Sequence, residues 1–279
     1  MDCEIDYFFS QDGLRLYYRH WECENPRSIV CIIHGLAEHS GRYDHIAKHL
    51  NDSQISVFGI DLRGHGLSNG KRGHAKNFEV LLNDVEELLK VAREAHTEIP
   101  MYLMGHSMGG NIVANYVLKK PVNELAGFIL SSPWLKLAFE PPAWKDKLAK
   151  TVAGFWPSLT QPDGLDASDL SRDPQVVDDY KNDPLVHGKI SAGLYIEGTN
   201  AAKNALENAV NIKIAGLVFH GSKDRIVDWN ASKAFAESND LISWKLIEGS
   251  YHEVLNDLDK DSVLSDITSW ISNINNLKK

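Results

Sequence analysis

Cysteine is scarce in this chain: three residues in 279, Cys3, Cys23 and Cys31, all near the N-terminus. So sparse and odd a set builds no disulfide framework and points to reduced thiols, hence a cytosolic setting. Long hydrophobic runs are missing as well. Nothing approaches the roughly 18 apolar residues expected of a bilayer span. The opening Met1-Asp2-Cys3-Glu4-Ile5-Asp6 has no basic n-region and no apolar h-region, so no secretory signal is expected. Positive charge is not in excess. The net charge of −9 argues against nucleic acid as a partner and supplies no polybasic anchor. Internal repeats and low-complexity tracts are absent too.

What is present is ordinary globular composition, 43% hydrophobic and 24% charged, over a length suited to one large domain or a core with an insertion. Short apolar runs alternate with segments of helical spacing, which predicts an α/β fold with a mostly parallel central sheet and helices on both faces. Ile29 to Ile33, Ser56 to Ile60, Met101 to Met104 and Leu125 to Leu130 read as strands, followed later by Ile214 to Phe219 and Trp244 to Ile247. After Asn77, a plausible N-cap, apolar residues fall at Phe78, Leu81, Leu82, Val85, Leu88, Leu89 and Ala92. That three-to-four spacing predicts a helix with one buried face. A closing helix is expected over 262–277.

The alternation breaks between Pro133 and about Val210. The break begins just after a strand ends, where insertions into open α/β sheets face the ligand crevice. We therefore expect a core of residues 1–133 and 211–279, with residues 134–210 forming a cap. The Asp-rich part from Asp163 to Asp183 reads as a solvated face.

The most informative motif is Gly105-His106-Ser107-Met108-Gly109, between a strand and a helix-compatible stretch from Asn111 to Lys120. Serine between two glycines at such a junction is the nucleophile-elbow pattern. Small residues at 105 and 109 permit the sharp turn that lifts Ser107 above the sheet edge. A serine hydroxyl needs a base, and the base needs a third group to fix its tautomer. His252, in the loop after the last strand, is the candidate base, and no histidine follows it. The acid should follow the preceding strand, where Asp224 and Asp228 are available. Asp224 is favoured because Asp228 is placed to cap the helix starting near Trp229. His220, at that strand's end, reads as structural. The oxyanion donors expected are the backbone N–H groups of Met108 and of Leu36, in the His34-Gly35-Leu36 loop. No metal site is indicated, since His34, His39, His45 and His49 form no His-Glu-x-x-His pattern. Gly64-His65-Gly66 lacks the remaining glycines of a dinucleotide loop.

Together His34 to Tyr43, Asp61-Leu62-Arg63-Gly64-His65-Gly66-Leu67-Ser68, Gly105 to Gly110 and Ser131-Ser132-Pro133 resemble the monoacylglycerol lipase and lysophospholipase family of α/β-hydrolases. Asn182-Asp183-Pro184-Leu185 and Gly249-Ser250-Tyr251-His252-Glu253 are similar to that family too. The resemblance implies an α/β-hydrolase fold with an inserted cap, a Ser107–His252–Asp224 triad, and cleavage of single-chain lipid esters without metal or organic cofactor. It also implies a polar head-group end lined by Glu38, Arg42 and Tyr180. The acyl-chain side would be lined by Trp134, Leu135, Phe139, Trp144 and Phe155. A transient contact of the cap with a membrane surface is compatible with it. One departure stands out: mammalian members carry a second histidine three residues after the catalytic one, and here that place is Leu255. A general carboxylesterase or a serine aminopeptidase-like hydrolase is the alternative within enzymes. A non-catalytic ligand-binding protein of the same fold is the alternative outside them.

Overall fold

The computed structural model describes residues 3–140 and 142–277. The chain opens with an antiparallel hairpin, β1 (Cys3–Phe9) and β2 (Arg15–Trp21), which sequence periodicity did not separate. Then follow β3 (Ser28–Ile33), α1 (Asp44–Asp52), β4 (Ile55–Ile60), α2 (Phe78–Ala95), β5 (Met101–His106), α3 (Met108–Lys119) and β6 (Leu125–Ser131). An insertion carries α4 (Ala143–Phe155), β7 (Thr160–Pro162), α5 (Pro174–Asn182), β8 (Lys189–Ser191) and α6 (Ala192–Asn208). The chain closes with β9 (Ala215–Gly221), α7 (Trp229–Glu237), β10 (Ile242–Ile247) and α8 (Lys260–Leu277). The expected strands and helices are all present, with ends shifted by a few residues.

Eight strands form one sheet in the order β1-β2-β4-β3-β5-β6-β9-β10, parallel from β4 onward. Along β3 every residue is buried, because helices cover both faces. Ile29, Cys31 and Ile33 face one core cluster and Val30 and Ile32 the other, as a two-residue period requires. The first cluster is covered by α2, α3, α6 and α7, the second by α1 and α8. Asn77 caps α2 as expected, accepting the N–H of Val80. Each buried aliphatic side chain in these stripes stabilises the fold by about 1.5–3 kcal/mol.

Chain direction across the sheet reverses between β3 and β5: β4 lies to one side of β3 and β5 to the other. Loops leaving β3 and β5 therefore part in opposite directions, leaving the crevice in which open α/β sheets bind ligands. Ile33 and Gly105 are register partners there, which brings the loops after His34 and His106 side by side.

Between β6 and β9, β7 and β8 pair as a separate small antiparallel sheet. The inward face of α6 belongs to the core: Leu194, Ala201 and Ala205 are in its main cluster. Asn111 and Asn115 of α3 donate to the carbonyls of Gly198 and Ala201, at 2.8 and 2.9 Å. The aspartates of the acidic stretch mostly terminate turns. Asp166 accepts from Ser168, Asp173 caps α5 by accepting from Gln175, and Asp183 accepts from Leu185. Among the described residues no helix is long and apolar enough to cross a membrane.

Candidate active site

Ser107 sits between β5 and α3 with φ 51° and ψ −115°, a backbone conformation few L-residues adopt. Holding it there costs about 1–3 kcal/mol, supplied by the packed strand and helix on either side. The flanking glycines are obligatory for steric reasons. A Cβ on Gly109 would stand 2.0 Å from the Ile33 carbonyl oxygen, and one on Gly105 would stand 2.3 Å from that of Gly109. As the first residue of α3, Met108 carries an N–H with no acceptor inside the helix, at the positive end of its dipole.

Beyond β9 and β10, two loops bring Asp224 and His252 together. Asp224 Oδ2 accepts from His252 Nδ1 at 2.7 Å and from His220 Nε2 at 2.8 Å. Its Oδ1 accepts the backbone N–H groups of Ile226 and Val227 at 2.8 and 3.0 Å. Asp228 does what the alternative reading gave it: it caps α7, accepting from Asn230. Burial raises the Asp224 pKa, but the charge of His252 and the two imidazole hydrogen bonds outweigh it and hold the carboxyl well below the usual range. Burial lowers the His252 pKa, and Asp224, Glu253 and Glu38 together overcome it and raise it above 6.5. A carboxylate only accepts, so the neutral His252 ring carries its proton on Nδ1 and keeps Nε2 basic.

Ser107 and Leu36 line two cavities. One, of about 340 Å³, is mostly apolar, walled by Trp134, Leu137, Phe139, Leu165, Ile190 and Val227. The other, of about 20 Å³, is bordered by Glu38, His106, Tyr180, His252 and Glu253 on one side and by Leu165 and Leu170 on the other. A larger open groove near Pro100 and Asn275 lies at the opposite ends of the strands and includes none of these residues.

The polar side is built on Arg42. Its guanidinium makes a two-point pair with Glu253, at 2.6 and 2.7 Å, and reaches Glu38 Oε2 at 2.8 Å. Glu38 Oε1 accepts from the Tyr43 hydroxyl and the Gly35 N–H, at 2.9 and 2.7 Å. Tyr180 lies over the guanidinium, 4.8 Å from its carbon. Burial raises both glutamate pKa values, yet Arg42 outweighs it and both lie below the usual range.

A family model described as serine aminopeptidase, S33 (Hydrolase_4) matches residues 24–259. The chain is 35% identical over 268 residues to a monoacylglycerol lipase of Mycolicibacterium smegmatis, covering 95% of each chain. The solved monoacylglycerol lipase of Paleococcus ferrophilus superposes with TM-score 0.83 at 29% identity, covering 98% of this chain and 100% of that one. A monoglyceride lipase from Saccharomyces cerevisiae superposes at 0.88 over 98% and 96%; at 24% identity it speaks to the fold alone.

The chain belongs to the monoacylglycerol lipase family of α/β-hydrolases.

Not every residue that the family resemblance suggested reaches the cavities. Trp134 and Phe139 line the apolar one and Glu38 and Tyr180 the smaller one, whereas Arg42 lines neither and stands behind Glu38 and Glu253. Leu135 is packed in the core. Trp144 instead lines an outer groove of about 440 Å³ with Leu148, Leu159 and Tyr195. Phe155 is 90% exposed and lines neither cavity at Ser107. Helical spacing does not say which element α4 packs on, and here its partner is α6.

Three residues of the site escaped sequence reasoning. Glu253 follows His252 directly in the chain, but its pairing with Arg42 spans 211 positions. His106 packs its ring 4.9 Å from that of His252, and burial together with His252 lowers its pKa to about 4. His220 reads as a strand-end histidine, yet it donates to Asp224. Its only signal in the sequence is the four-residue spacing to Asp224.

Proposed function

We propose that this protein hydrolyses single-chain lipid esters, with monoacylglycerol as the preferred substrate, through an acyl-enzyme on Ser107. His252 Nε2 removes the serine proton as Ser107 attacks the ester carbonyl. Asp224 holds the tautomer and stabilises the imidazolium. The amides of Leu36 and Met108 stabilise the tetrahedral oxyanion. His252 then protonates the departing alcohol, and water cleaves the acyl-enzyme by the same route. None of these steps calls for a metal or an organic cofactor.

One observation carries this reading: Ser107 lies between a larger apolar cavity and a small one edged by Glu38, Tyr180, His252 and Glu253. An ester with a hydrocarbon chain on one side and a small polar alcohol on the other matches that division. Trp134 and Phe139 would then contact the chain, and Glu38 and Tyr180 the alcohol, with Arg42 holding Glu38 in place from behind. The relatives named above as monoacylglycerol lipases support the same choice.

Charge favours a neutral alcohol over a phosphate. Arg42 is already engaged by Glu38 and Glu253, so the polar side holds two carboxylates against one guanidinium. A phosphate brought there meets net negative charge in a poorly screened site. As it stands, the smaller cavity has room for little more than one water. We infer that residues 134–210, apart from α6 on the core, act as a cap, and that its stretch from Leu165 to Tyr180 gives way to admit a glycerol moiety. Along α4 and at its C-terminal end, Trp144, Leu148, Phe155 and Trp156 are all more than half exposed. That apolar surface suits transient contact with a lipid surface from which substrate is drawn.

Purified protein and its Ser107→Ala variant decide the matter, assayed on long-chain monoacylglycerol, lysophosphatidate, a short nitrophenyl ester and an aminoacyl anilide. The expected order places monoacylglycerol first, with kcat/KM at least about tenfold above lysophosphatidate. The variant should lose more than about a thousandfold on every ester while keeping its melting temperature. Anilide hydrolysis exceeding ester hydrolysis would replace this reading with a peptidase. Turnover retained in the variant would remove Ser107 from the mechanism.

A further inference from the structure

We propose that His220 is a positioning residue for this reaction: it gives the Asp224 carboxylate a second imidazole hydrogen bond and so limits how strongly Asp224 holds the proton of His252. The inference rests on the reading of Ser107, His252 and Asp224 given above.

Both imidazoles point at one atom. Asp224 Oδ2 accepts from His252 Nδ1 at 2.7 Å and from His220 Nε2 at 2.8 Å. The two amides on Oδ1 complete four donors around a carboxylate with about four lone-pair sites. Nothing is left over for a further partner, and the plane of the carboxylate is held from both ends. His220 itself is wholly buried at the end of β9 and anchored from a third element. Its Nδ1 lies 2.9 Å from the hydroxyl of Ser232 on α7, also wholly buried.

The proton positions follow from the acceptor. Because the ionised carboxylate cannot donate, His220 Nε2 must, and in the neutral ring Nδ1 is then the acceptor for the Ser232 O–H. Ser232 thus selects the tautomer of His220, as Asp224 selects that of His252. A chain Ser232–His220–Asp224–His252 results, of which only the last member reaches the cavity at Ser107.

Each donor stabilises the carboxylate charge, so two donors on one oxygen leave each bond weaker than an undivided acceptor would. Asp224 therefore stabilises the His252 imidazolium less than it would alone, and the base releases its proton more readily. The other groups facing His252 are His106, Glu253 and Glu38, with Arg42 behind the two glutamates. None of these touches Asp224, so a change at His220 reaches His252 through the carboxylate.

Nitrogen-15 NMR of histidine-labelled full-length protein at neutral pH reads the tautomer without any turnover. It should report His220 protonated on Nε2 and bare on Nδ1; protonation on Nδ1 alone would overturn the proposal. The pH profile of kcat/KM on a short nitrophenyl ester then tests the consequence. His220→Leu removes the donor, so the acid limb should move upward by about half a unit or more. In that variant kcat should fall about tenfold, because the carboxylate loses one of the anchors that fix its plane against His252, with KM little changed. His220→Gln, which restores an N–H donor, should recover most of both. An unchanged or downward-moved acid limb in the Leu variant sinks the idea, as does a Gln variant indistinguishable from it. Should the Leu variant fail to fold, Ser232→Ala tests the same chain: a smaller upward movement supports the proposal and none refutes it. Loss of the catalytic reading would appear separately, as Ser107→Ala retaining turnover.

Discussion

Arg42 and Glu253 form a two-point ion pair, at 2.6 and 2.7 Å, that ties the segment after β3 to the loop carrying His252. Both side chains are almost wholly buried, and Glu38 completes the group. Such a cluster is no clear gain in stability over apolar packing, because desolvation offsets most of the attraction. Its effect is positional: it fixes where the His252 loop stands relative to the loop of Leu36.

Removing the cation should expose that dependence. Arg42→Leu leaves two buried carboxylates facing each other, at a cost of about 3–5 kcal/mol. Both glutamate pKa values, now low, would rise, so protonation relieves the repulsion as the pH falls. Thermal melts at pH 8 and pH 5 should therefore show a large loss in the variant at the higher pH and a smaller one at the lower. Equal losses at both would contradict the charge argument.

The raised pKa of His252 sets the pH dependence. Turnover requires the neutral ring, so kcat/KM should fall on acidification with a midpoint above 6.5. Stability has two contributions of opposite sign. The depressed Asp224 pKa contributes stability that is present above its unfolded value, near 3.9, and is lost as the pH falls. The raised His252 pKa contributes stability that is complete below 6.5 and lost as the pH rises through its folded value. His252→Gln should accordingly narrow the stability difference between pH 6 and pH 9, read by urea denaturation.

Steric demand at the elbow gives a sharper outcome. Gly109→Ala puts a methyl 2.0 Å from the Ile33 carbonyl oxygen, backbone that cannot yield without moving β3. Loss of several kcal/mol or failure to fold is expected, of the order seen for severe overpacking. Gly154→Ala, in α4 with nothing within 4 Å of its Cβ, is the control and should melt at or slightly above the parent. If both variants behave alike, the tight elbow geometry is wrong.

On the surface of α4, Phe155→Glu together with Trp156→Glu tests the lipid-contact role. Hydrolysis of monoacylglycerol presented in vesicles should drop several-fold, since charge weakens apolar insertion. Hydrolysis of a soluble short ester should stay within about twofold. A parallel loss on both substrates would mean that the substitutions act on the cap itself.

The sequence by itself determined whatever depends on neighbours along the chain. Alternation of apolar runs and helical stripes named every parallel strand, and Asn77 and Asp228 were readable as caps because a cap bonds within three residues. The elbow was readable for the same reason: Gly105, Ser107 and Gly109 supply the conformational freedom and the small volumes that one turn demands. Tertiary structure alone decided what meets across the sheet. Strand order brings Arg42 to Glu253 and His220 to Ser232 and Asp224, and it sends Phe155 outward while keeping Trp134 inside. A local pattern reports which residues are apolar, charged or small. Which of them become partners follows from the folding of distant segments onto one edge, and no spacing in the chain encodes that distance.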